Sequence, residues 1–371
     1  MADVLKKILE ERDLLPILKM NDGTPVTKDN WEERRREMRE ALEVYSYGHT
    51  LPKPSRVWAE TLSKAEVAYA NKATEEKLLI CFETERGIAS FPCWLYRPKK
   101  VEKPRVILNI HFRYGVPKDM PPTFRVPVED ILDNGYALLS LAYGDVVNDH
   151  LNGDYSDGLA KYFGVTTERG PEEWGKIGLW AYGASRVLDY LLTRDDLDAE
   201  HTAVAGHSRL GKTALWTAAQ DERFWCAISN NSGYGGAATS KHGNGERVQD
   251  FLDCGSWDWY CENFKQFTGE LEDQKPYDQA YLLALIAPRY LCVGSAVEDK
   301  GADPESEFLT SLWASQAWEL LGVPGLITPD RMPEVGDVLQ EGHVAYHLRA
   351  GSHFFACEDW RHYLKFLNSK K

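Results

Sequence analysis

Nothing in this sequence divides it, staples it or anchors it. Across 371 residues there is no internal repeat, no low-complexity tract and no Gly/Ser linker, so length alone leaves two average domains or one large α/β domain. No run approaches the apolar length that spans a bilayer. The start, Met1-Ala2-Asp3-Val4-Leu5-Lys6-Lys7, has no apolar core of the kind a secretory leader needs. A cytoplasmic protein is therefore expected, or a secreted one whose leader was removed. Cysteine is sparse and unpatterned: seven residues with no C-x-x-C pair, which speaks against a disulfide framework and fits a reducing compartment. Cys81, Cys93, Cys226 and Cys292 sit in apolar runs and read as small core residues. Positive charge is also short, 43 Lys and Arg against 57 Asp and Glu, for a net −14. Nucleic acid and anionic membrane carry the same sign and are excluded as expected partners.

What is present is ample apolar material, 43% of the chain, enough for a sizeable core. The twelve tryptophans suit a large α/β core, with some left over to line a carbohydrate site. Residues 1–75 are charge-rich and partly helical, with a solvated helical run from Trp31 to Arg36, and read as an N-terminal extension. Strands are expected at 78–82, 91–96, 105–110, 136–142, 202–205, 226–230, 290–296 and 344–348. Helices are expected at 173–192, opened by Pro171, at 212–219 and at 357–367. Strands alternating with helices indicate a mostly parallel, doubly wound sheet. Residues 239–285 break the alternation and are expected to form an insertion or cap.

The chemistry sits where the strand at 202–205 meets the helix at 212–219, in Gly206-His207-Ser208-Arg209-Leu210-Gly211-Lys212. A serine hydroxyl is a poor nucleophile until a base takes its proton and an electropositive pocket receives the oxyanion. A sharp strand–turn–helix framed by glycines lifts such a hydroxyl above the sheet edge, the elbow of α/β-hydrolases. Here the second glycine stands one residue later than in G-x-S-x-G, and no competing elbow occurs elsewhere. Ser208 is thus the candidate nucleophile, weighed against a glycine-framed N-cap serine. The Arg209 backbone N–H is the expected oxyanion donor, with its guanidinium as a charged second. Lys212 lies four residues on, facing the same side as Ser208.

In this fold the acid and the histidine follow the serine in the chain. Among His343, His347, His353 and His362, only His353, in Gly351-Ser352-His353-Phe354-Phe355, occupies the loop after the last strand. His347 reads as a packed core histidine. Asn231, after the strand at 226–230, carries no charge. The loop after 290–296 offers Glu298, Asp299 and Asp303. Asp299 is preferred, and the sequence separates it only weakly from Glu298.

With these residues in place the chain resembles the bacterial-type glucuronoyl esterases, carbohydrate esterase family 15, from about Trp31 to Leu367. The elbow through Trp216, the run Ser229 to Ala238, the segment Trp259-Tyr260-Cys261-Glu262-Asn263-Phe264, Leu285 to Arg289, Glu298-Asp299 through Pro304, and Tyr346 to His353 with Asp359-Trp360 carry the likeness. The resemblance implies a single α/β-hydrolase domain over 1–371. It also implies hydrolysis of an ester on the carboxyl of 4-O-methyl-glucuronate, the lignin–xylan linkage, without metal or cofactor. It implies Ser208 as nucleophile, His353 as base and Arg209 as oxyanion arginine, with Lys212, Glu246 and Trp259 binding the sugar. The substrate is then a small or oligosaccharide uronic-acid ester. Three positions depart from the family. Asn231 stands where many members carry the triad glutamate, Gly301 where relatives carry a tryptophan that stacks on the uronate, and Asn109 to Tyr114 replace the usual loop beside the oxyanion hole. Competing readings are a deacetylase of xylan or another acylated sugar, and a non-catalytic carbohydrate-binding relative. The joint presence of Ser208, Arg209, Lys212 and His353 argues against the last.

Overall fold

The computed structural model describes residues 3–113, 125–164 and 169–370; Tyr114, the end of the departing loop, lies outside them. Ten strands form one sheet among the described residues: β1 (Val57–Ala68), β2 (Ala73–Thr84), β3 (Gly87–Pro98), β4 (Arg105–His111), β5 (Ala137–Ala142), β6 (Asp198–His207), β7 (Cys226–Asn230), β8 (Tyr290–Ala296), β9 (Val338–Leu339) and β10 (Val344–Arg349). Their spatial order is β1-β2-β3-β5-β4-β6-β7-β8-β10-β9. From β5 to β10 the pairing is parallel, while β1, β2, β3 and β9 pair antiparallel at the two edges. The chain leaves β4 for β5 on one side and returns to β6 on the other. That reversal is the topological switch point beside which such sheets bind ligands, at the carboxyl ends of their strands. Ser208 follows the carboxyl end of β6.

The helices are α1 (Asp3–Arg12), α2 (Trp31–Leu42), α3 (Val128–Asp133), α4 (Tyr143–Val146), α5 (Lys176–Leu191), α6 (Arg209–Gln220), α7 (Val248–Asp253), α8 (Gln279–Ala284), α9 (Pro304–Ala314), α10 (Gln316–Leu321) and α11 (Cys357–Ser369). The inner strands are buried on both faces, and alternate residues feed two cores. Val204 joins α5 and α6 through Trp180 and Trp216, whereas Ala203 and Ala205 join α11 through Trp360 and Tyr363. Cys81, Cys93, Cys226 and Cys292 are buried, as their apolar settings suggested. No helix among the described residues is long and apolar enough to cross a membrane.

Two expected elements differ. The helix expected from residue 173 begins at Lys176, with Gly175 as N-cap and Pro171 upstream of it. At Gly175 a Cβ would stand 2.2 Å from the Trp259 carbonyl oxygen; close packing sets the helix start there, which periodicity does not show. Within 1–75 the sheet already has all of β1 and the first residues of β2. The exposed, polar β1 hides its strand character because none of its residues is buried, so no apolar alternation marks it.

Candidate active site

The elbow is built by close contact. Ser208 has φ 58° and ψ −130° and serves as N-cap of α6, and its carbonyl accepts from the N–H groups of Gly211 (2.8 Å) and Lys212 (3.1 Å). A Cβ at Gly206 would lie 2.0 Å from the Leu210 carbonyl oxygen, and one at Gly211 3.0 Å from the Ser232 Cβ. Gly206 is therefore required by the approach of backbone to backbone, while the later second glycine makes room for the Ser232 side chain. The Ser208 N–H donates to the Asn230 carbonyl at 2.9 Å, tying the elbow to β7.

The acid loop and the histidine loop are stitched by backbone. Val297 N–H donates to Arg349 O and Glu298 N–H to Gly351 O, both at 3.0 Å. Across that seam His353 Nδ1–H meets Asp299 Oδ2 at 2.6 Å, and the Asn231 amide donates to the same oxygen at 2.7 Å. Burial pushes the Asp299 carboxyl up, but His353 and Asn231 on the oxygen outweigh it and hold the group below its ordinary range. Of the other two carboxylates, Glu298 is exposed, and Asp303 caps α9 by accepting from Ser306 N–H and also accepts from Asn244 N–H at 2.7 Å. The His353 loop is clamped from below. Arg349 donates to Ala350 O and Ser352 O, and its Nε pairs with the buried Asp359 at 2.9 Å. His347 donates to the same carboxylate at 2.8 Å, a packed core position.

The His353 ring centroid lies 4.5 Å from that of His207, the residue before Ser208. No hydrogen bond joins Ser208 to His353 among the described residues; such contacts commonly tighten only with substrate in place. His207 itself is held neutral: burial pushes its imidazole down to about 3 while Nδ1–H donates to Asn230 Oδ1 at 2.8 Å.

Arg209 is held in a frame that the sequence reading missed. Its guanidinium pairs with Asp149 and lies 4.5 Å over the Trp259 ring and 5.3 Å over Phe112. The other Asp149 oxygen accepts from Trp259 Nε1 at 2.7 Å. Trp259 is thus nearly buried, with the guanidinium over its ring. Asp149 stands in a loop 59 residues before Ser208 in the chain, and no local pattern marks it. Lys212 is buried, donates to Tyr234 O at 2.6 Å and pairs with Glu246 Oε2 at 3.2 Å. Glu246 leaves 41% of its side chain exposed and donates its N–H to Gly301 O at 3.0 Å. A Cβ at Gly301 would meet nothing closer than 3.9 Å, so the position stands open beside Glu246. Residues 239–285, which supply Glu246 and Trp259, include α7, α8 and three short 3-10 turns. Among the described residues no cluster of three metal-ligating side chains occurs.

Three comparisons bear on this arrangement. The sequence model of the family described as "Glucuronyl esterase, fungi" matches residues 123–322. The chain is 34% identical to a carbohydrate esterase of an unknown prokaryotic organism, over 94% of this chain and 87% of that protein. It is 28% identical to a 4-O-methyl-glucuronoyl methylesterase of Podospora anserina, over 81% of this chain and 59% of that one. Among solved structures, a glucuronoyl esterase from Solibacter usitatus superposes with a TM-score of 0.86 at 35% identity, covering 95% of this chain and 96% of the other.

Proposed function

Because the chain belongs to the glucuronoyl esterase family, carbohydrate esterase family 15, and is a carboxylic ester hydrolase of the α/β-hydrolase fold, we propose that Ser208 attacks the carboxyl carbon of a glucuronate ester, with His353 and Asp299 completing the triad. The 4-O-methyl-glucuronoyl ester named for its relatives is the proposed substrate class. Ser208 gives its proton to the free nitrogen of His353 as the new C–O bond forms. The oxyanion is met by the Arg209 N–H and guanidinium, at the positive end of α6. His353 then returns the proton to the departing alkoxide, leaving an acyl-enzyme that water hydrolyses by the same route. Lys212 and Glu246 bind hydroxyls of the sugar.

The observation that carries this reading is the chain of contacts from Asn231 through Asp299 to His353, ending beside the elbow. It is tested by Ser208→Ala on benzyl glucuronate, acetylated xylo-oligosaccharide and p-nitrophenyl acetate. The wild type should favour the glucuronate ester, and the variant should lose hydrolysis of all three while keeping its fold. Full activity in folded Ser208→Ala ends the serine-hydrolase mechanism. A wild-type preference for the acetylated sugar moves the enzyme to the deacetylases.

A further inference from the structure

Directly after the acid loop, α9 carries Glu307 inward from the capped end of the helix, and the residue is fully buried. Its four hydrogen bonds beyond its own helix come from neutral groups, and none comes from a cation among the described residues. Oε1 accepts from Ser232 N–H (2.8 Å), Gly233 N–H (3.0 Å) and Ser232 Oγ (3.2 Å); Oε2 accepts from Ser295 Oγ at 2.6 Å. A carboxyl so buried loses its solvation, and these four hydrogen bonds are what offset that cost. Those bonds converge on one place. Ser295 stands near the end of β8, four residues before Asp299, and Ser232 and Gly233 directly follow Asn231.

Asn231 is itself held in an unusual pose. Its φ is 46°, its N–H donates to Gly294 O at 2.8 Å, and its amide reaches Asp299. The turn has no slack on either side. A Cβ at Gly233 would stand 2.9 Å from the Ala302 Cα of the acid loop, and the elbow glycine Gly211 packs on Ser232. Nucleophile elbow, Asn231 turn and acid loop therefore meet over a single carboxyl.

We propose that Glu307 is a positioning residue of the esterase reaction, bracing the Asn231 turn so that Asp299 stays aimed at His353. The inference rests on Asp299 being the triad acid. Burial, and secondarily the nearby Asp299 charge, push the Glu307 carboxyl up to about 7, as expected of a group held in place against its solvation preference. Geometry is what the brace supplies, so an amide of the same shape should serve. In Glu307→Gln the amide oxygen accepts from the two backbone N–H groups and the NH2 donates to Ser295.

The experiment compares Glu307→Ala, Glu307→Gln, Ser295→Ala and Asp299→Asn in steady-state hydrolysis of benzyl glucuronate, with circular dichroism and thermal midpoints for each. Misplacement of the acid by a fraction of an ångström should lower kcat in Glu307→Ala by roughly 10- to 100-fold with KM nearly constant. Glu307→Gln should recover kcat to within a few-fold of wild type. If Glu307→Ala does not fold, Ser295→Ala serves in its place, with kcat reduced a few-fold and KM unchanged. The proposal is overturned by wild-type kcat in folded Glu307→Ala, or in Ser295→Ala where that stands in. Equal losses in the Gln and Ala variants, or a loss confined to KM, also overturn it. A wild-type rate in Asp299→Asn overturns the acid assignment and the brace with it. An impaired Asp299→Asn beside an unimpaired Glu307→Ala overturns the role of Glu307 alone.

Discussion

Asp299 carries its charge in a buried place because two donors share one of its oxygens, His353 at 2.6 Å and Asn231 at 2.7 Å. A triad carboxylate holds the imidazole in its productive tautomer and stabilises the imidazolium of each step. Asp299→Asn should therefore lower kcat by roughly two to four orders of magnitude with a much smaller change in KM, read from initial rates on a glucuronate ester. Asn231→Ala should cost far less. A carboxylate introduced as Asn231→Glu should partly restore the Asp299→Asn enzyme, since the two side chains already stand one hydrogen bond apart. Wild-type kinetics in Asp299→Asn would shift the acid to another residue. On the other side of the site Asp149 pairs with Arg209, the proposed oxyanion donor. Asp149→Asn keeps one acceptor and loses the charge that fixes the guanidinium. Loss of an oxyanion donor costs about 100- to 1,000-fold in kcat, so Arg209→Ala should fall in that range and Asp149→Asn should lose less. An Asp149→Asn enzyme altered in KM alone would show that the pair binds substrate rather than steadying the oxyanion donor.

The elbow stores backbone strain. A residue with a Cβ held at φ 58° and ψ −130° sits in a sparsely populated region that costs roughly 1–3 kcal/mol. Glycine enters that region freely and gives back part of the gain as unfolded-state entropy. Ser208→Gly should accordingly be inactive and about 1 kcal/mol more stable than Ser208→Ala, which keeps the Cβ and the strain. Denaturant midpoints of the two inactive variants measure the difference, and a less stable glycine variant would refute stored strain at this turn. Periodicity reveals that a strand enters a helix here. It does not reveal that Gly211 rather than residue 210 must be the second glycine, because that follows from the Ser232 side chain arriving from β7.

For the molecule as a whole, buried titrating groups set the response to acid. His111 is pushed down to about 4 by burial and His207 to about 3, and both stay neutral in the folded state. Unfolding exposes them to protonation below about 6.5, so the unfolded chain binds more protons and stability is lost as pH falls. His362, also lowered by burial, adds in the same direction. Glu307, pushed up to about 7, opposes them, since the folded state holds a proton that unfolding releases. As pH falls from 6.5 toward 4.5 the two histidines outweigh Glu307, and net uptake on unfolding grows to roughly one proton, about 1.4 kcal/mol per pH unit at the acid end. Thermal midpoints across that range should fall with acid, and more steeply in Glu307→Gln; a flat profile would refute the neutral burial of the two histidines. The sequence by itself determined the alternation of strands and helices, the elbow around Ser208 and the loop of His353, since periodicity and turn residues are local properties. It narrowed the acid to Glu298, Asp299 and Asp303 and went no further, because three carboxylates in one loop differ only in what lies across from them. Only the tertiary structure decided that Asp299 faces His353, that Asp149 holds Arg209 and that Glu307 lies beneath Asn231. Those contacts join residues 54, 60 and 74 or 75 positions apart in the chain, and nothing in a local pattern encodes which side chains parallel strands will set side by side.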